Sequence, residues 1–177
     1  WAHGTHVAGI LAATTDNGAG MASTVFNGKI ISVKCSIDGQ STDDPGIFNG
    51  YDGILYAAKA GFYAGTFTII NNSWGGGGFS NSEQSVVNTS HNTYGAIVVA
   101  AAGNQGENSS DVSTPASIER VIAVGATDRY GSAWKDTSRG SPSLNGEQRI
   151  DPHRKPEISA PGEDIISTHD PALGIPY

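Results

Sequence analysis

The stretch AIVVAAAGN, residues 96–104, constrains the fold more than any other part of the chain. Apolar residues follow one another there without alternation, so a strand built from them has no face to give to water. Such a strand belongs inside a parallel sheet whose helical crossovers cover both faces. Other segments agree with this. TFTIINNSWGG (66–76) reads as a strand running into glycines, and VIAVGATD (121–128) and the β-branched KIISVKCSI (29–37) read as further strands. EISAPGEDIIST (157–168) reads as short strands on either side of a turn at Pro161 and Gly162.

Helical patterns lie between the strands. HVAGILAA (6–13) is a run of small residues that can pack closely on a sheet. Ile47, Ile54, Leu55, Ala58 and Phe62 recur at helical spacing, with Asp44 before Pro45 as cap and first turn and Gly61 as the helix end. Residues 81–94 read as an exposed helix closing at Gly95. ENSSDVSTP (107–115) reads as a surface loop, and the polar, turn-rich 138–156 as an exposed excursion. The order predicts one three-layer α/β/α domain over residues 1–177 with a mainly parallel central sheet, a size that suits a single core.

Composition narrows the function. Charged residues make up 15% of the chain, against roughly 25% in an average globular protein. The 24 glycines suit a close-packed fold with many tight turns. Formal charge is −7, and basic residues gather only weakly, at His153, Arg154 and Lys155, so nucleic acid is not an expected partner. Nor is a membrane, since no run approaches the roughly 18 consecutive apolar residues of a spanning helix. Cys35 has no second cysteine to pair with and reads as a buried strand residue.

Ligands of parallel sheets bind beyond the carboxyl ends of the strands, where NNSWGG and AAGN fall. In NNSWGG, Gly75 and Gly76 let the backbone lie close to an extended peptide added as a strand; a tight turn is the other reading. In AAGN, small residues leave room beside the strand, and the Asn104 amide can donate to a charge developing beyond its end; the other reading is a turn-forming Asn. His3 and His6, three apart in HGTH, can share a helical face and ligate a metal. No matching third ligand motif follows, and a packed histidine at a helix start is the alternative.

These stretches occur in order, together with VIAVGA and KPEISAPG. In that combination the chain resembles the subtilisin-like serine proteases, the subtilases. WAHGTHVAGI is similar to the family's histidine motif, NNSWGG to its substrate-binding strand, AAAGN to its oxyanion asparagine strand, and KPEISAPG to the segment leading towards its nucleophile. Residues 138–156 are the least family-like part. The resemblance implies a subtilisin-like fold and a serine endopeptidase acting through an Asp-His-Ser triad. It implies His3 as general base, His6 as a packing residue and Asn104 as oxyanion donor. It also implies a specificity pocket between Ser73, Trp74, Gly75 and Gly76 on one side and Ala101, Ala102 and Gly103 on the other. Small residues on both sides favour a large apolar P1 side chain. Ser113 is expected near the pocket floor, and Trp74 can instead shape a more distant subsite.

Only Trp1 and Ala2 precede His3, and no GTSMA-like nucleophile motif follows KPEISAPG. The triad Asp and Ser are thus expected outside a chain truncated at both ends, and the isolated chain is expected to be inactive. Protein or peptide substrates and secretion are implied by the family. The chemistry needs no cofactor; structural calcium at TTDNGAG (14–20), through Asp16 and Asn17, is one reading and a plain turn another. The competing functional readings are a noncatalytic peptide-binding domain and, further behind, a metal-binding HxxH domain.

Overall fold

The computed structural model describes residues 3–40, 46–144, 146–150 and 154–168. Trp1, Ala2, Asp44, Pro45 and His153, which figure in the readings above, lie outside them. The chain divides into two compact units, Trp1–Gly46 with Asp164–Tyr177, and Ile47–Glu163.

The smaller unit is organised around α1, His3–Ala12. Its last carbonyls would be orphaned without outside donors. Thr24 and Val25 supply them, their backbone N–H groups donating to Ile10 O at 2.9 Å and Leu11 O at 3.2 Å. Segment 165–168 approaches the other end of the helix, with Ser167 Oγ donating to His6 O at 2.6 Å and Thr168 Oγ1 to Thr5 O at 2.8 Å. Gly9 makes that approach possible, since a Cβ there would stand 2.2 Å from Thr168 Oγ1.

Residues 29–37 do not form the expected strand. β-Branched residues make a strand only when a neighbouring strand completes the ladder. No such partner is found among the described residues, and Ile30, Ile31 and Ile37 are exposed. Cys35 is accordingly half-buried, its thiol 3.7 Å from Val33 O.

The larger unit holds the sheet. Helix α2 (Gly50–Tyr63) leads to β1 (Ile69–Asn72), α3 (Asn81–Asn92) to β2 (Ile97–Ala101), and β3 (Val121–Thr127) follows. A two-stranded antiparallel ribbon, β4 (Ser143–Leu144) with β5 (Glu147–Gln148), precedes β6 (Ile158–Pro161). The main sheet runs β1-β2-β3-β6, every pair parallel, as expected. Register sets Ile70, Val98 and Val121 in one buried row and Asn72, Ala100 and Ala123 in the next. Residues of the opposite face, such as Ile97, Val99, Ile122 and Val124, are half-buried. Helices α2 and α3 pack on each other, α2 against β1 and α3 against β2. Ile54 and Val87 are fully buried, each contributing roughly 1.5–3 kcal/mol by leaving water.

Helix boundaries differ from expectation for identifiable reasons. α2 runs through Gly61, because this glycine faces Thr68, whose Oγ1 would lie 1.6 Å from a Cβ at 61. The helix ends instead at Gly65, φ +67°, where Thr66 N donates to Gly61 O and Gly65 N to Phe62 O, a Schellman closure. At its start Asn49 takes the cap position, and Ile47 stands before the helix. α3 starts at the Ser80 cap, whose hydroxyl accepts from Glu83 N at 3.2 Å, and the chain turns at Gly95 as expected.

The regions read as exposed are partly interior. Val112, Thr114, Pro115 and Ala116 are buried within or beside the supposed surface loop. Ser138, Arg149 and Lys155 are buried within the supposed excursion. Each buried charge there is partnered, the condition for holding it away from water. Lys155 Nζ donates to Val121 O and meets Glu157 Oε1 at 2.6 Å, while Glu157 Oε2 accepts from Ala123 N at 2.8 Å. The stretch after Gly162 forms no second strand. Gly162 N donates to Thr127 O at 3.0 Å, where the pairing of β6 ends.

Candidate active site

Parallel neighbours β1 and β2 end side by side, and their extensions, Ser73–Gly76 and Ala102–Asn104, carry the expected site residues. Residues 113–115 bridge the two extensions. Ser113 N donates to Ala102 O at 2.8 Å, and Gly76 N donates to Thr114 O at 3.0 Å. Glycine is required on both sides of this bridge. A Cβ at Gly75 would stand 2.9 Å from Ser113 Cβ, and one at Gly103 would stand 2.5 Å from Ser113 Oγ. Gly103 also has φ +109°, a conformation that side chains disfavour.

Within this frame the expected residues divide. Ala101, Asn104, Gly75 and Gly76 are exposed, whereas Ser73, Trp74 and Gly103 are half-buried and Ala102 is buried. Ala102 thus contributes its backbone carbonyl to the bridge, and its methyl belongs to the core. The Asn104 side chain has no hydrogen-bond partner among the described residues. Its backbone neighbours are tightly held. Ser138 N donates to Gly103 O at 2.9 Å, and Gln105 N donates to Ser138 Oγ at 3.1 Å. Gln105 Oε1 accepts from Ser138 Oγ at 2.5 Å and from Ser113 Oγ at 3.2 Å. An exposed amide donor on a fixed backbone is what stabilisation of a developing oxyanion requires.

Trp74 stands against the start of α2. Its ring meets Tyr51 edge-on, centroids 5.8 Å apart, and would lie 2.5 Å from a Cβ at Gly50. The Tyr51 hydroxyl and Glu83 Oε2 nearby are buried without a well-aligned hydrogen bond. Loss of water, and secondly the Glu83 charge, push the phenol well above its ordinary pKa.

In the smaller unit, His3 opens α1 and is exposed, with His6 one turn on. His6 Nε2 lies 3.1 Å from Ile165 O, to which it donates when that nitrogen carries the proton. Partial desolvation of the His3 ring, and secondly the charge of His6, hold its pKa below the ordinary histidine value. Among the described residues no group of three His, Cys, Asp or Glu side chains could hold a metal ion. Loop 14–20 has turn geometry, with Asp16 at φ +60° and Asn17 Oδ1 accepting from Ala19 N at 3.1 Å. No helix among the described residues is long and apolar enough to cross a membrane.

Sequence reasoning found both strand ends but missed Gln105 and Ser138, which bond beside Asn104. Gln105 follows directly on AAGN, and that adjacency was the available signal.

The sequence matches the Peptidase S8 subtilase family over residues 1–175, and the chain belongs to that family. It is 38% identical over 167 residues to a thermophilic serine proteinase from Bacillus sp. (strain AK1), covering 94% of this chain and 35% of that protein. It is 34% identical over 167 residues to thermitase from Thermoactinomyces vulgaris, covering 94% of this chain and 51% of thermitase. Among solved structures, the psychrophilic S41 protease superposes with a TM-score of 0.77 at 27% identity, covering 96% of this chain and 55% of that one. The chain therefore spans between about a third and about half of these relatives.

Proposed function

We propose that this chain is the part of a secreted serine endopeptidase that supplies the general base and the oxyanion donor. In this reading His3 takes the proton from the attacking serine hydroxyl and returns it to the leaving amine. The Asn104 side-chain amide stabilises the tetrahedral oxyanion. A substrate peptide pairs with the backbone of Ser73–Gly76, and its P1 side chain enters between that strand and Ala101–Gly103, with Ser113 at the floor. The triad Asp and Ser come from the protein outside these 177 residues.

The observation that carries the reading is the bridge of Ser113 and Thr114 between the two strand ends, flanked by Gly75 and Gly103. It holds the strand ends apart and leaves the Asn104 amide exposed beyond them. Two relatives named extracellular proteases support the same localisation.

The test is peptide hydrolysis by the full-length protein that carries this chain. Asn104→Ala is expected to lower kcat about 100- to 1000-fold with KM little changed, as loss of one oxyanion donor does in subtilisin. His3→Ala is expected to abolish turnover, and the isolated 177-residue chain to cleave nothing. Turnover by the isolated chain, or full activity without His3, would sink the reading.

A further inference from the structure

The loop from Asp111 to Ser117 carries the bridge at its crown, and both of its feet are held by one side chain. Arg149 Nη1 donates to Asp111 Oδ1 at 2.7 Å, and Arg149 Nη2 donates to Ser117 O at 3.0 Å. The Arg149 side chain is only 4% exposed, so these contacts form away from water. Asp111 Oδ1 also accepts from Val112 N at 2.8 Å and Ser141 N at 2.9 Å. Arg149 Nη1 donates additionally to Ser141 O at 3.1 Å, which ties the segment after Ser138 to the same point.

From this geometry we infer that Arg149 is a positioning residue for the specificity pocket. Its planar fork spans the two feet of the loop and thereby fixes where the crown, Ser113 and Thr114, stands between the strand ends. The clearance on either side of the crown is small. Gly75 and Gly103 already leave no room for a methyl group beside Ser113. A crown free to shift would alter the space offered to a P1 side chain. Two other cations stand near Asp111, and each has its own carboxylate: Arg139 faces Glu107 at 3.5 Å, and Lys155, which also feels the Asp111 charge, meets Glu157 at 2.6 Å.

This inference rests on the peptidase reading, and its test separates the two. In the full-length protein, kcat/KM is measured on paired peptides carrying Phe or Ala at P1. Arg149→Met is expected to lower the Phe-to-Ala ratio roughly tenfold, a change within the range that pocket fit commands, and to do so through KM for Phe. Arg149→Lys, whose point charge reaches one foot but not both, is expected to lower it too. Asp111→Asn keeps an acceptor oxygen at the same place and is expected to retain the wild-type ratio. A general loss of stability would move melting temperature and both substrates together, so the ratio isolates positioning. If Arg149→Met does not fold, Arg149→Lys decides alone. Folded Arg149 variants with the wild-type ratio overturn the inference and leave the peptidase reading standing. A wild-type protein that cuts neither peptide overturns the reading, and the inference with it.

Discussion

A general base works only in its unprotonated form, so the environment of His3 sets the acid limit of the proposed chemistry. Desolvation and the His6 charge both disfavour the imidazolium. The folded chain therefore binds this proton less readily than the unfolded chain does. As pH falls from neutral through the ordinary histidine value of about 6.5 and on through the lower folded value, protonation favours the unfolded state. Stability from this group is present above the unfolded value and lost below. In the 177-residue chain the His3 ring is expected to titrate with its midpoint below about 6.5, and His6→Ala to raise that midpoint by removing the like charge; a triad carboxylate beside His3 in the full-length protein would act in the opposite direction. An NMR titration of the His3 ring in the chain and in its His6→Ala variant checks it; an unmoved midpoint would show that His6 does not act on His3.

Among the elements, β6 depends most on a single buried charge. Lys155 lies three residues before the strand with its side chain 1% exposed, and Glu157 immediately precedes the strand. Burial lowers the Lys155 pKa, and Glu157 offsets part of that effect. Removing one partner would strand the other. Lys155→Met is therefore expected to cost about 3–5 kcal/mol in unfolding free energy, and the double variant with Glu157→Gln less than that. Denaturant unfolding of the single and double variants measures the coupling, and additive losses would exclude it. Because the folded Lys155 pKa is depressed, the unfolded chain holds the proton more tightly between the folded value and about 10.5. Stability from this residue accordingly rises with pH across that window.

Across the molecule, negative charge dominates and several basic groups are engaged. Lys34 pairs with Asp38, Arg139 with Glu107, Arg149 with Asp111 and Lys155 with Glu157. With a net charge of −7, the chain is expected to leave the mobility of a short DNA duplex unchanged at about 0.15 M salt. A gel-shift titration checks this. The same pairings explain which features could be read from sequence. The strands 97–101 and 121–127 were legible because uninterrupted apolar runs have one stable environment. The strand end at Gly75 was legible because glycine after a strand marks close approach, whereas the small residues up to Gly103 read as leaving room that Ser113 in fact occupies. Segment 29–37 was not, since composition cannot say whether a ladder partner exists. Nor was the interior of 138–156. Arg149 meets Asp111 across 38 positions and Lys155 meets Val121 across 34, separations at which a charged residue looks like any solvated one.

The Asp111–Arg149 pair also bears on how such sequences can be recombined. The crown at Ser113 looks like a self-contained cassette, yet the side chain that holds its feet is encoded well downstream, beyond β3. A crossover anywhere between positions 111 and 149 would bring together a loop and an arginine with different ancestry. Recombinants that inherit 111–149 as one block keep the two matched. In a shuffled library, breakpoints inside that block should be depleted among folded, selective survivors, while breakpoints within α2 should be tolerated.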